Sequence, residues 1–329
     1  MEPYRIAGID VHKRMLAVVV GSLSEEGKIS FERRQFANGQ AGIGPLREWL
    51  VEQGVREVVM ESTAQYWRAV WLELEDKFRL HLAQPMSNRA RRGRKGDFVD
   101  GERLVRRFIA GELVLSYVPD REQRLWRTLA REKYLARRAR VQQINALEAF
   151  LEEVRIKLSC VLSDLTGVSG WRILQAIAKE VQDPAALAEL ADPGVKCTPE
   201  QLREALAAAP QLRSEERAVL RQFLDRIDLF AQQIAENDRL LAGCLMAHQE
   251  AVSRLAEIPG LGADSAQQMI AEIGPEAQAF DSAAQLASWG GSVPGTRGKC
   301  RHLQIRSFAK RKPADAAAAG AMCQRGHQG

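Results

Sequence analysis

Cysteine offers this chain no framework. The five residues, Cys160, Cys197, Cys244, Cys300 and Cys323, are odd in number, scattered, and never spaced as Cys-x-x-Cys. That pattern excludes a disulfide scaffold and a thiolate zinc site. Long apolar runs are missing too: no stretch approaches the roughly 20 residues that a bilayer span takes. The opening MEPYRIAGID leads straight into a strand-like segment rather than through a signal peptide. A reducing cytoplasm is the expected compartment, with no membrane association. Histidine is sparse, and neither His12, His81 nor the others stand at metal-ligand spacing. Acid is absent locally: residues 297–312 hold seven Lys/Arg and no Asp or Glu.

What is present is a chain of 329 residues, 46% hydrophobic and 27% charged, long enough for two domains and a connector. The net charge of +5 is mild but uneven, because residues 86–140 alone carry 16 Lys/Arg against 7 Asp/Glu. Two basic segments on an otherwise acidic chain point to a polyanionic partner.

The first part alternates strands and helices. YRIAGIDVH and MLAVVVGSL are apolar, β-branched runs separated by a polar His12–Lys13–Arg14, the pattern of a hairpin, and KISFERRQF extends it as a third strand. GIGPLREWLVEQG has helical spacing and stops at Gly54; REVVMEST reads as a buried strand, YWRAVWLELEDKF as a helix, and RLHLAQP as a strand halted by Pro85. That order suits a mixed sheet: an antiparallel meander, then strands joined by crossover helices. From about Arg121 the pattern changes. Val141, Ile144, Leu147, Leu151, Val154 and Leu158 recur at spacings of three and four, as do Leu220, Phe223, Ile227, Phe230, Ile234 and Leu241. Both resemble heptad seams, with Asn237 on the second as a polar residue that can fix register. A packed intramolecular hairpin and intermolecular pairing fit these seams equally well. Between them, turn signals at Asp192–Pro193–Gly194 and Pro210 mark an insertion. In EIPGLGADSAQQMIAEIG, a turn holding Gly260 and Gly262 precedes a helix. It fits either a helix-hairpin-helix element, whose amides hold a phosphate, or an ordinary helical turn.

The chemistry-bearing candidates are acids. Asp10 ends the first strand and Glu61 the fourth; Asp97 and Asp100 stand three apart at the start of a helix and share its face. Singly, each has a bland reading: turn residue, helix-terminal charge, cap. Together, on neighbouring strand ends and one covering helix, they form four carboxylates that repel one another unless a cation neutralises them. Oxygen ligands suit Mg²⁺, and two such ions serve phosphodiester chemistry. The basic residues Arg89, Arg91, Arg92, Arg94, Lys95, Arg103, Arg106 and Arg107 would then hold a nucleic-acid backbone beside them.

AGIDVHK, MEST..YW and RKGDFVDGERLVRRF, then a coiled-coil connector, IPGLG......IAEIG and LASWGGSVPG, resemble the DEDD transposases of bacterial insertion sequences over about Tyr4 to Lys299. By this resemblance Asp10, Glu61, Asp97 and Asp100 correspond to the family's acidic tetrad. The implied fold is α/β plus α: a RuvC-like, ribonuclease-H-like mixed sheet over residues 1–118, a helical coiled-coil connector with insertion over 119–250, a helical C-terminal DNA-binding domain over 251–312, to which Lys299 and Arg301 contribute, and a disordered tail over 313–329. The implied function is metal-dependent DNA cleavage and strand exchange with Mg²⁺. The element's DNA ends and target are the substrates, a guide RNA encoded by the element directs the reaction, and a homo-oligomer, dimer or tetramer, carries it out.

One departure stands out. The family's C-terminal motif places a serine nucleophile shortly after Pro-Gly, where this chain reads VPGTRGKCRH. Thr296 is the one hydroxyl in the shortened loop, and Ser292 precedes it; these are the candidate nucleophiles, and neither matches the required placement. The expectation is a chain that binds nucleic acid and Mg²⁺ but recombines little. Two rivals remain open: a RuvC-like junction-resolving nuclease, and a decayed copy that only binds nucleic acid.

Overall fold

The computed structural model describes residues 4–62, 64–88, 96–208 and 211–289. The chain divides into two compact units: Met1–Pro119, with which the segment from Ala279 groups, and Asp120–Gln278.

The first unit begins with β1 (Tyr4–Val11), β2 (Met15–Leu23) and β3 (Ile29–Ala37), an antiparallel meander as the alternating runs predict. The β1–β2 turn is closed by the His12 amide donating to the Met15 carbonyl at 3.0 Å. There follow α1 (Gln40–Glu52), β4 (Glu57–Glu61), α2 (Trp67–Leu74), β5 (Arg79–Ala83), α3 (Asp97–Ile109) and β6 (Leu115–Ser116). The sheet order is β3-β2-β1-β4-β5-β6, with β4 parallel to both β1 and β5. This is the mixed sheet expected from the element order, and it agrees with the ribonuclease-H-like fold that the resemblance implies. β6 is an addition to that expectation: two residues are too few to show a period of two.

Strands β1, β2 and β4 are buried on both faces, which is why they read as nearly unbroken apolar runs. One face carries Ala7, Ile9, Val11, Leu16, Val18, Val20, Val58 and Met60, packed with Leu46, Leu50, Val70, Trp71 and Leu74 of α1 and α2. The other carries Ile6, Val59 and Ala83 against Leu104 and Val105 of α3.

The second unit is helical. α4 (Arg121–Glu153) and α8 (Ser214–Cys244) are its long members, with α5 (Val168–Ala178), α6 (Pro184–Ala188) and α7 (Pro199–Ala207) between them. α9 (Gln249–Ala256) and α10 (Ala263–Ile273) follow, and α11 (Ala283–Trp289) lies beyond the unit. The two seams meet within the chain. Leu147 and Leu151 share a core with Leu220, Leu224 and Ile227; Trp126 and Ala130 share one with Leu241 and Leu245. These pairings make α4 and α8 antiparallel. Val141, expected on the first seam, is exposed. The insertion supplies Ile173, Leu174, Leu187, Leu202 and Leu206 to the first of these cores.

Asn237 is partly exposed rather than buried in the seam. The buried polar contact is made instead by Lys133 of α4, whose fully buried ammonium is paired with Asp238 of α8 and Asp264 of α10. Arg131 clasps the buried Glu272 carboxylate through two hydrogen bonds of 2.7 and 2.8 Å. α9 and α10 add Val252, Ala266, Ile270 and Ala271 to the core formed by Trp126 and Leu241. Among the described residues no helix is long and apolar enough to cross a membrane.

Candidate active site at the end of the sheet

β1 and β4 run parallel with Ile9 opposite Met60, so the next residues, Asp10 and Glu61, emerge at the same end. Strand alternation then settles the face. Ile6 and Val59 face α3; Asp10 and Glu61, an even number of residues further along, do so too.

α3 reaches that face because glycines let it. A Cβ on Gly8 would lie 2.5 Å from the Gly101 carbonyl oxygen and 2.9 Å from a Val105 methyl. A Cβ on Gly21 would meet Val105 at 2.6 Å, and one on Gly101 would meet Val19 at 2.9 Å. The helix therefore approaches the sheet closely at these glycines, and its first turn, which holds Asp97 and Asp100, overhangs the strand ends. Acids in a first helical turn also complement the helix dipole, so their local cost is small.

Asp10, largely buried with 15% of its side chain exposed, lies 3.1 Å from His12 Nε2, which is itself 3.5 Å from Asp97 Oδ1. One donor atom from each of these three residues lies within 4.8 Å of the other two. Burial pushes the Asp10 carboxyl above its ordinary range; His12 opposes this, and the charges of Asp100 and Glu61 add to it. Both acids are thus near enough for Asp10 to feel them.

Glu61 and Asp100 are joined by a bridge. The Asn88 amide donates to Glu61 Oε2 at 2.8 Å. Arg103 donates to the Asn88 backbone carbonyl at 2.9 Å and to Asp100 Oδ1 at 2.5 Å. Asn88 is 1% exposed, so this is a built contact rather than a solvated one. Sequence reasoning missed both His12 and Asn88. The signal for His12 was present as Asp-x-His, since residues two apart at a strand end share a face. Nothing local marks Asn88.

The donor set fits a divalent cation. Carboxylate oxygens are the ligands Mg²⁺ takes, with positions left for phosphate oxygens. Clustered acids also gain most from a cation when one of them is buried.

The basic residues divide. Arg103 is engaged as described; Arg106 stacks on the Phe31 ring at 4.6 Å, and Arg107 donates to the Ser87 carbonyl at 2.5 Å. Arg89, Arg91, Arg92, Arg94, Lys95, Lys299 and Arg301 lie outside the described residues, as do Ser292, Thr296 and the 313–329 segment. Gly260 has the positive φ of 87° that a turn before α10 uses, and Gly262 is the extended residue preceding the helix. Asp264 in that first turn is disfavoured by burial, yet hydrogen bonds from Lys133 and Arg137 hold its carboxyl below the usual range.

Two family models match the chain. One, described as a DEDD transposase of the IS110 group, matches residues 7–156, and one described as transposase of the IS116/IS110/IS902 family matches residues 252–305. Together they cover more than half of it. No curated protein matches it. Among solved structures, RuvC of Thermus thermophilus is 13% identical and covers 34% of this chain and 99% of its own, with a TM-score of 0.27. The same protein in complex with a Holliday junction substrate is 11% identical, with the same two coverages and TM-score. The Ppx/GppA family member of Aquifex aeolicus is 12% identical and covers 26% of this chain and 36% of its own, at a TM-score of 0.20.

Proposed function

Because this chain belongs to the IS116/IS110/IS902 family of transposases and is a DNA recombinase of that kind, we propose that Asp10, Glu61, Asp97 and Asp100 are its catalytic carboxylates and hold Mg²⁺ against a DNA phosphodiester. The observation that carries this reading is the convergence of two parallel strand ends and one helical first turn on a single face, seated by Gly8, Gly21 and Gly101. When bound, the cations would supply a Lewis acid that activates the attacking oxygen and stabilises the leaving one.

The remaining roles belong to the chain itself. Asp10, near the end of the central strand β1, gives a largely buried ligand. Asn88 and Arg103 orient Glu61 and Asp100, and Arg103 brings a fixed positive charge near the position a phosphate would take. The basic segment from Arg89 to Lys95, directly before α3 in the sequence, would hold the nucleic-acid backbone beside the acids, with Lys299, Arg301 and the amides around Gly260 and Gly262 as further contacts. The resemblance to this family supports the finer parts of the reading: action on an element's ends and target, a guide RNA, a homo-oligomer, a cytoplasmic setting, and the domain limits near residues 118, 250 and 312.

A second reading is favoured by one sequence feature. VPGTRGKCRH has no serine at the position the family uses. A covalent step needs a hydroxyl within about 3–3.5 Å of the phosphorus. The expected behaviour is binding of DNA and cation with little strand exchange. A recombination assay on the chain, with Thr296→Ala and Ser292→Ala beside it, decides the matter: robust recombination lost in either variant would show that Thr296 in the shortened loop, or Ser292 before it, supplies a nucleophile. The carboxylate reading has its own test in calorimetric Mg²⁺ and Mn²⁺ titration. Asp10→Asn and Glu61→Gln should weaken binding by roughly tenfold or more, since even outer contacts of metal sites are worth that much; Glu112→Gln should leave it alone. Equal affinity in all four proteins would remove the tetrad from the site.

A further inference from the structure

We propose that His12 is itself a ligand of the cation held by Asp10 and Asp97, bound through Nε2, so that this site is a mixed carboxylate–imidazole centre. The inference rests on the carboxylate reading above and names a donor that the acidic tetrad does not include.

Three observations converge. First, spacing: Nε2 lies 3.1 Å from Asp10 Oδ2 and 3.5 Å from Asp97 Oδ1. Ligand atoms at right angles, each about 2.1 Å from one ion, lie about 3 Å apart. The two separations from Nε2 therefore already stand near those of neighbours in one coordination sphere, and the two carboxylates lie within 4.8 Å of each other. Second, hydrogen bonding alone explains the arrangement poorly. A single Nε2–H serves one carboxylate well; the 3.5 Å contact to the other is beyond a good hydrogen bond, and a shared cation accounts for both. Third, the backbone under the imidazole is fixed. The His12 amide donates to Met15 at 3.0 Å, and its carbonyl accepts from the Asn38 side chain at 2.7 Å. His12 and Asp10 thus leave the end of β1 on one side with little freedom between them.

The chemical consequence is selectivity. Mg²⁺ is a hard ion that prefers oxygen, whereas imidazole nitrogen suits later first-row ions, whose affinity rises from Mn²⁺ to Co²⁺. A nitrogen in the sphere therefore shifts the site toward Mn²⁺ and Co²⁺ relative to an all-oxygen tetrad.

The test uses the full chain loaded with one equivalent of Mn²⁺ and pulsed electron paramagnetic resonance. The expected result is modulation from a directly bound imidazole nitrogen, altered when the protein is made with ¹⁵N-histidine and lost in His12→Gln and His12→Asn. Both variants should also bind Mn²⁺ roughly tenfold more weakly or worse, and lose less affinity for Mg²⁺. The isotope measurement needs no substitution, so it stands even if a variant folds poorly. The other described histidines are engaged elsewhere, His81 with Glu57 and His248 with the Trp126 ring. Mn²⁺ bound in an Asp10-dependent way but without nitrogen modulation would overturn the His12 assignment and leave the carboxylate reading standing. Mn²⁺ bound equally well by Asp10→Asn and His12→Gln would overturn both.

Discussion

β1 and β4 present acids at both ends of the same face, and the two ends are built differently. At the start of β4, Glu57 accepts hydrogen bonds from the Tyr4 hydroxyl at 2.8 Å and from His81 at 2.6 Å. Burial pushes the Glu57 carboxyl up, but those bonds and the nearby charges of His81 and Arg79 outweigh it, and it lies below the ordinary range. Tyr4 is pushed up to about 12, first by burial and then by Glu57. At the other end Asp10 is raised, with two further acids pressing on it. Both ends hold an acid beside a histidine. What separates them is the direction in which the surroundings push: the partners of Glu57 outweigh its burial, while burial and the charges of Asp100 and Glu61 outweigh His12 at Asp10. The second unit resembles the Glu57 end, since Asp238, Asp264 and Glu272 each meet a Lys or Arg. Acids pressing on a buried acid, rather than acid content, are what mark the site.

The most damaging change to this contrast is Gly8→Leu. It would drive a side chain into α3 at the point where a Cβ alone comes within 2.5 Å of backbone. Overpacking of that kind costs about 3 kcal/mol, and the expected result is a large fall in Tm together with loss of cation binding. Normal Mn²⁺ affinity in a folded Gly8→Leu protein would mean that α3 does not position Asp97 and Asp100.

Glu57→Gln comes next. Losing charge-assisted hydrogen bonds to Tyr4 and His81 should cost about 2 kcal/mol at neutral pH. Because the folded pKa of Glu57 is depressed, this contribution is present above the carboxylate's unfolded pKa and fades as pH falls through the folded one. Denaturant melts of wild type and variant should therefore converge in acid. Cation binding should be unchanged, and a loss there would erase the distinction between the two ends.

The smallest effect should come from Asp10→Asn in cation-free buffer. Removing one of several like charges should leave stability equal or raise it by less than about 1 kcal/mol. Added Mn²⁺ should raise Tm in the wild type and hardly at all in the variant. A clear destabilisation by Asp10→Asn without metal would place Asp10 among satisfied carboxylates like Glu57.

Much of this molecule is legible residue by residue. The β1–β2–β3 meander, the crossover helices, the two long amphipathic helices and the four acids are all written in local patterns. A period of two or of three to four states which face of an element is apolar, and a strand or helix end states where a charge emerges. The choice of partners is not local. The α4 and α8 seams suited an intramolecular hairpin and intermolecular pairing equally, and their meeting within the chain was decided by cores shared with the insertion and with α9 and α10. The buried ammonium of Lys133 between Asp238 and Asp264, the Asn88–Arg103 bridge, and the His12 imidazole between Asp10 and Asp97 arise only when distant segments meet. Gly8, Gly21 and Gly101 show why. A glycine in a strand carries no periodic signal, yet the missing side chain sets how near a helix can approach, and that distance decides whether acids far apart in sequence act on the same ion.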